Sequence, residues 1–181
     1  MDPTEDGATP QRRSQSGRLL KPVYTADDLP SDINPLAVPG RAPFLRGAYD
    51  GMYRTKPWRI FQLSGYGSPE DMARRLRFLL QQGETGFIIK RDRVTNDHLY
   101  DVDHPEVLAR REDVGQTGAV LLSARDVEIA IDGVPIDQSY AHPGAGVVQA
   151  APFCLTSYWV AAERRGIDFT TLAGTGQSDF F

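Results

Sequence analysis

Apolar positions in the middle of the chain recur at helical spacing. Met72, Leu76, Leu79 and Leu80 fall on one side of a 3.6-residue period, while Arg74, Arg75 and Arg77 fall mostly elsewhere. Ser68-Pro69-Glu70-Asp71 precedes them with an N-cap hydroxyl, a proline suited to the first helical position and acids for the first turn; Gly83 supplies the stop. Around this helix the pattern shortens to strand-like runs. Residues 58–64 (WRIFQLS) alternate in part, and 86–90 (GFIIK) and 118–122 (GAVLL) are short apolar bursts. Ser123 caps a second helix through about Ile131, ended by Asp132-Gly133, and a further strand is expected within 138–141. A long apolar helix over about 147–164, stopped by Gly166, and a strand at 169–173 complete the pattern. Strand, helix, strand, helix predicts an α/β fold with βα units and a parallel sheet of about four strands.

The polar ends of the pattern set the organisation. Residues 1–18 hold Pro, Gly, Ser, Thr, Gln and charge with few apolar side chains, a composition expected to be disordered. Residues 19–57 mix Pro and Gly with Leu, Tyr, Phe, Met and Trp, which predicts an extended, ordered arm. Residues 58–181 form the βα-unit domain. Composition changes this picture little. The 181 residues are 40% apolar and 24% charged, enough for one real core. The formal net charge of −4 and a pI near 5.4 argue against a dedicated nucleic-acid binder. A single cysteine, Cys154, excludes an intramolecular disulfide framework and suits a reducing, cytoplasmic home. Residues 1–16 lack the apolar core of a secretory signal. Residues 141–162 contain no Asp, Glu, Lys or Arg, yet Pro143, Gly144, Gly146, Gln149 and Pro152 make them a poor membrane span.

Candidate chemistry gathers at two places. The run Asp97-His98-Leu99-Tyr100-Asp101-Val102-Asp103-His104-Pro105 sets two of the three histidines among three aspartates. Carboxylates beside imidazoles suit acid/base work or metal recruitment, although no metal-ligand spacing is matched and no metal site is expected. The competing reading is a polar loop in which Asp103 or His104 caps a short helix starting at Pro105. The second place is Tyr140-Ala141-His142-Pro143-Gly144, where a strand hands over to a helix; carboxyl ends of parallel strands form ligand sites, so Tyr140 and His142 are catalytic candidates with Asp101, Asp103 and His104. Gly65-Tyr66-Gly67 before a helix reads as a plain turn, Cys154 as a core residue, and Arg74, Arg75, Arg77, Arg164 and Arg165 as solvated helix faces or ends.

The wording of several segments adds a resemblance. Pro39-Gly40, Pro43-Phe44, Arg46-Gly47, Tyr49, Met52-Tyr53 and Pro57-Trp58 form a run that resembles the leading segment of the methylmalonyl-CoA mutase family, the cobalamin-dependent acyl-CoA mutases. In order, Lys21-Pro22-Val23-Tyr24-Thr25, Leu79-Leu80-Gln81-Gln82-Gly83, Tyr100-Asp101-Val102-Asp103-His104-Pro105, Asp113-Val114-Gly115, Asp132-Gly133-Val134-Pro135-Ile136 and Leu172-Ala173-Gly174-Thr175-Gly176-Gln177-Ser178-Asp179 are similar as well. The resemblance implies the first part of a TIM barrel, threaded by the pantetheine of a CoA thioester. It implies substrate contacts at Tyr49, Met52, Thr175 and Gln177, with Lys56 and Arg59 suited to CoA phosphates. Two positions depart from the family's Thr-Ile-Arg-Gln-Tyr-Ala-Gly-Phe strand: Phe61 stands for the arginine that holds a substrate carboxylate, and Leu63 for the tyrosine that crowds the reacting radical. Phe61 cannot pair with a second carboxylate, which makes methylmalonyl-CoA a poor substrate. Lys90 to Thr95 and Tyr140 to Gly144 also depart from the family's strands.

About four strands are half of what a barrel needs. The family's later barrel histidine and the Asp-x-His-x-x-Gly signature of its cobalamin domain have no counterpart here, so cobalamin is expected only through a partner chain. The leading expectation is therefore a mutase-like half-barrel that binds an acyl-CoA and is completed by a partner mutase subunit or by self-association. The alternative is a stand-alone, cobalamin-independent isomerase, cyclase or decarboxylase using the acid/base candidates above. A third reading is an interaction module alone. Nucleic acid and membrane are not expected partners.

Overall fold

A computed structural model describes residues 12–29, 38–96, 101–144 and 150–177. The chain divides after Trp58 into two compact units. In the first, β1 (Arg12–Arg13) pairs antiparallel with β2 (Leu19–Leu20). The connecting turn is tied by Ser14 N–H to the Arg18 carbonyl (2.8 Å) and Gly17 N–H to the Ser14 carbonyl (2.9 Å). These local bonds let residues 12–18 form a turn where their composition alone predicts disorder. Residues 38–57 fold into successive turns rather than one extended run. Gly40 N–H reaches the Gly47 carbonyl (3.1 Å), and Met52–Arg54 is a 3-10 turn. Pro and Gly here favour local chain reversal over ladder pairing.

In the second unit the capping signals are realised. Helix α1 spans Pro69–Gln81; Ser68 Oγ accepts from Asp71 N–H (3.2 Å) and Asp71 accepts in return from Ser68 N–H (2.9 Å). Its Met72, Ala73, Leu76 and Leu79 are buried, and Gly83, at φ +102°, turns the chain out of the helix. Strand β3, Gly86–Ile89, is buried along its length. Two short helices follow, α2 (Arg93–Asn96) and α3 (Pro105–Ala109). Helix α4 (Ala124–Ala130) repeats the reciprocal cap through Ser123 and Asp126. Strand β4 is Tyr140–Pro143, helix α5 is Ala150–Arg164, and β5 is Ala173–Gly174. The parallel sheet has the order β3-β4-β5. α1 packs on β3 and α4, α4 on α5, and α5 on β4. Met72, Leu76, Phe87, Ile89, Leu121, Val127, Ile131, Ile136, Ala141, Cys154 and Tyr158 form the core between them. Among the described residues no helix is long and apolar enough to cross a membrane.

Four strand expectations change. Residues 58–64 form no ladder: they clip to the start of β3 by Thr85 N–H to the Ile60 carbonyl (2.8 Å) and Ile60 N–H to Thr85 Oγ1 (2.8 Å), leaving Trp58, Ile60 and Leu63 exposed. Residues 118–122 make only single bridges, Ala119 meeting both Gly67 and Arg91. The strand expected at 138–141 is shifted two residues on, since Pro135 and Gln138 close a turn first (3.1 Å). Phe169–Thr171 is a 3-10 turn capped by Asp168, which delays β5 to Ala173. Among the described residues three paired parallel strands, rather than about four, carry the fold.

Candidate functional site on the helix-free face of the sheet

The pleat sorts β4 into two sets. Ala141 belongs to the core, and Pro143 lies with it against α5; Tyr140 and His142 therefore stand on the opposite face, free of α1 and α5, the helices that pack on β3 and β4. Register places Gly86 beside Tyr140 and Ile88 beside His142. Across from them the 59–62 segment returns. The Phe61 ring stacks on Tyr140, with centroids 6.0 Å apart and planes at 24°, and the Arg59 guanidinium lies 4.3 Å from the centre of the same ring. Such contacts add about 0.5–1.5 kcal/mol each to area burial. Gly86 makes room for them: a Cβ there would come within 2.5 Å of the Tyr140 carbonyl and 3.1 Å of the Phe61 ring. Beside the clip at Ile60 and Thr85, Gln62 N–H donates to Glu84 Oε1 (3.1 Å). Burial pushes the Glu84 carboxyl up from its ordinary value, opposed in part by that N–H and by the Arg75 charge. His142 Nδ1 is sealed from solvent and has no hydrogen-bond partner among the described residues.

The structure brings Arg59, Phe61, Tyr140 and His142 together out of the predicted set. Leu63 lies further along the same segment, exposed. Thr175 and Gln177 follow β5, their N–H groups bonded to the Ala141 (3.0 Å) and Gly144 (3.3 Å) carbonyls. Tyr49, Met52 and Lys56 belong to the first unit and are exposed, with Met52 at φ +42°. The aspartate–histidine run stands apart. His98 and Tyr100 lie outside the described residues; His104 Nδ1 accepts from Glu106 N–H (3.3 Å) at the start of α3, and Asp101 accepts from Asp103 N–H (3.2 Å). These contacts are those of a helix cap and its preceding turn.

Sequence reasoning missed Arg91. It is almost wholly buried just past β3, donating from Nε to the Leu121 carbonyl (2.9 Å) and from Nη1 to Asn96 Oδ1 (2.8 Å), with its guanidinium 4.9 Å from the Phe153 ring centre. Asp92 beside it accepts from Thr95 N–H (2.9 Å). This pair fixes the loop at the carboxyl end of the strand. The signal was the run Lys90-Arg91-Asp92-Arg93 directly after an apolar strand. A second concavity, about 600 Å³ and mostly apolar, lies on the other side of the sheet between α5 and β5, walled by Leu155, Trp159, Phe169 and Leu172. Burial raises the Cys154 thiol to about 12, as befits a core residue.

The described residues offer no ready-made cluster of metal-binding side chains. No three His, Cys, Asp or Glu side chains gather among them, His104 Nδ1 is engaged by its helix, and His142 Nδ1 is sealed. The sequence profile of the methylmalonyl-CoA mutase family matches residues 13–181. The chain belongs to the methylmalonyl-CoA mutase family. It is 34% identical over 163 residues to a methylmalonyl-CoA mutase of Rhizobium meliloti, covering 88% of this chain and 22% of that protein. It is 36% identical over 164 residues to a methylmalonyl-CoA mutase large subunit of Streptomyces virginiae, covering 90% and 21%. It is 32% identical over 175 residues to a 2-hydroxyisobutanoyl-CoA mutase large subunit of Aquincola tertiaricarbonis, covering 94% and 30%. The chain thus spans between about a fifth and a third of the length of these relatives. Within the methylmalonyl-CoA mutase family, then, this chain carries a parallel sheet whose helix-free face holds Arg59, Phe61, Tyr140 and His142.

Proposed function

We propose that this chain is a CoA-thioester-binding part of an acyl-CoA mutase barrel, with the helix-free face of β3 and β4 as a wall of the acyl site. One observation carries the reading: Phe61, which the resemblance sets in the position of the family's carboxylate-binding arginine, packs on Tyr140, whose ring Arg59 also meets. An aromatic wall in that place suits an acyl group without a second carboxylate. Tyr49 and Met52, then Thr175 and Gln177, are carried over as further substrate contacts and Lys56 as a phosphate contact, whereas Arg59, over the Tyr140 ring, is assigned to the acyl wall rather than to the phosphates. The remaining strands come from a partner mutase subunit or a second copy: the outer edge of β5 pairs with no strand among the described residues, and an apolar cleft lies beside it. Cobalamin would come with that partner and would supply the rearrangement chemistry, this chain supplying the acyl wall.

Titration calorimetry of the 181-residue chain against isobutyryl-CoA and methylmalonyl-CoA tests the proposal. The monocarboxylic thioester is expected to bind tighter. Absence of binding by either ligand, alone and with a partner subunit, overturns it.

A further inference from the structure

Residues 84–86 hold the 59–62 segment in a way that strand pairing alone does not. In a parallel ladder one residue bonds its neighbour twice: its N–H reaches the carbonyl of one residue, and its own carbonyl accepts from the N–H two residues further on. Thr85 makes the first of these bonds, its N–H donating to the Ile60 carbonyl (2.8 Å). Its own carbonyl is turned the other way and accepts from Tyr140 N–H (3.1 Å). Gln62 N–H is the group that this carbonyl would have served. Glu84 Oε1 accepts from it instead, at 3.1 Å. A side-chain carboxyl thus closes the next rung.

The replacement is centred on one side chain. Ile60 is bonded through its carbonyl and through its N–H, which donates to Thr85 Oγ1 (2.8 Å); Gln62 is bonded through its N–H; Phe61 lies between them. With both neighbours held, the Phe61 ring is presented to Tyr140, 6.0 Å away, above the space that Gly86 leaves. Stability alone gives no reason for a carboxyl in this place. Glu84 Oε2 is sealed and has no hydrogen-bond partner among the described residues, and such an atom is destabilising. Arg75 on α1 is the charge that acts on the carboxyl, and its guanidinium lies 5.6 Å from the centre of the Phe78 ring. We propose that Glu84 is a positioning residue of the acyl wall: by holding Gln62 N–H it fixes the Phe61 ring against Tyr140 and so sets which acyl groups the wall accepts. This rests on the thioester reading of the site. Glu84 acts through Gln62 and Phe61 and not by contact with the ligand.

The test titrates the full chain with isobutyryl-CoA and acetyl-CoA, which differ by two methyl groups on the acyl carbon. The parent chain is expected to prefer isobutyryl-CoA by about tenfold or more. Glu84→Ala should lower that ratio by about three- to tenfold, the equivalent of one hydrogen bond, with acetyl-CoA affinity held. Glu84→Gln, whose amide oxygen can accept from the same N–H, should restore the ratio. A ligand-free reading accompanies it: the Gln62 amide-proton shift should follow the Glu84 carboxyl titration in the parent chain and stay flat in Glu84→Gln. A ratio unchanged in Glu84→Ala, including one in which both affinities fall together, overturns the assignment alone. So does a ratio that Glu84→Gln fails to restore, or a Gln62 amide that ignores the titration. If neither thioester binds the parent chain, the thioester reading falls and the assignment falls with it.

Discussion

The two faces of β3 and β4 are one residue apart in sequence and opposite in character. Toward the helices, Phe87, Ile89 and Ala141 are closed off entirely and meet Met72, Leu76, Val127 and Tyr158 in the core. Away from them, Tyr140 and His142 stay half-open and collect an aromatic ring and a guanidinium from 59–62. Stability and the proposed recognition thus fall to alternate residues of the same strands, so substitutions one position apart should separate the two.

The sharpest break is Phe87→Ala. Its ring packs 6.3 Å from Tyr158 inside the core, and truncation is expected to lower stability by about 3–5 kcal/mol. Denaturant unfolding measures this, and a loss below about 1 kcal/mol would remove the core from this face. Across the pleat, Tyr140→Ala should cost about 1–2 kcal/mol of stability through its two ring contacts, and weaken isobutyryl-CoA binding about tenfold. Equal affinity for the variant and the parent chain would detach the aromatic wall from the ligand. Ser68→Ala removes one side of a reciprocal helix cap and is expected to cost about 1 kcal/mol with affinity unchanged. The smallest effect is electrostatic. The Glu84 carboxyl is raised in the folded chain, so the fold binds its proton more readily than the unfolded chain does. Its contribution is fully present below the ordinary value of 4.5 and is lost as pH rises through the higher folded value. Glu84→Gln should flatten that decline in melting temperature; parallel pH profiles for the two proteins would show that Glu84 does not contribute it.

Local signals carried most of what could be read ahead of the structure. Ser68 and Ser123 each announced a helix because a cap is written within four residues, and β3 was placed to within one residue by its apolar run. Periodicity marks a strand-like segment but does not name its neighbour. Residues 58–64 and 118–122 therefore looked alike, and neither showed that β3 would pair with β4 across more than fifty intervening residues. The site divides in the same way. That Tyr140 and His142 share a face follows from alternation alone, whereas Arg59 over Tyr140 joins residues about eighty apart and is written in no local pattern. Arg91 was hidden for a related reason: a charged run after a strand ordinarily faces water, and only the carbonyl of Leu121 and the amide of Asn96 explain a guanidinium kept inside.

Gly86 bears on the order in which this face was assembled. Its missing side chain is required first by the backbone, since a Cβ would strike the Tyr140 carbonyl whatever stands at position 61. The hollow above it is thus a by-product of strand pairing, present before any particular ring fills it. A benzyl side chain at 61 inherits that hollow and needs no compensating change in the strand below. Position 61 is in this sense permissive: the space its ring fills is set by the strand pairing beneath it.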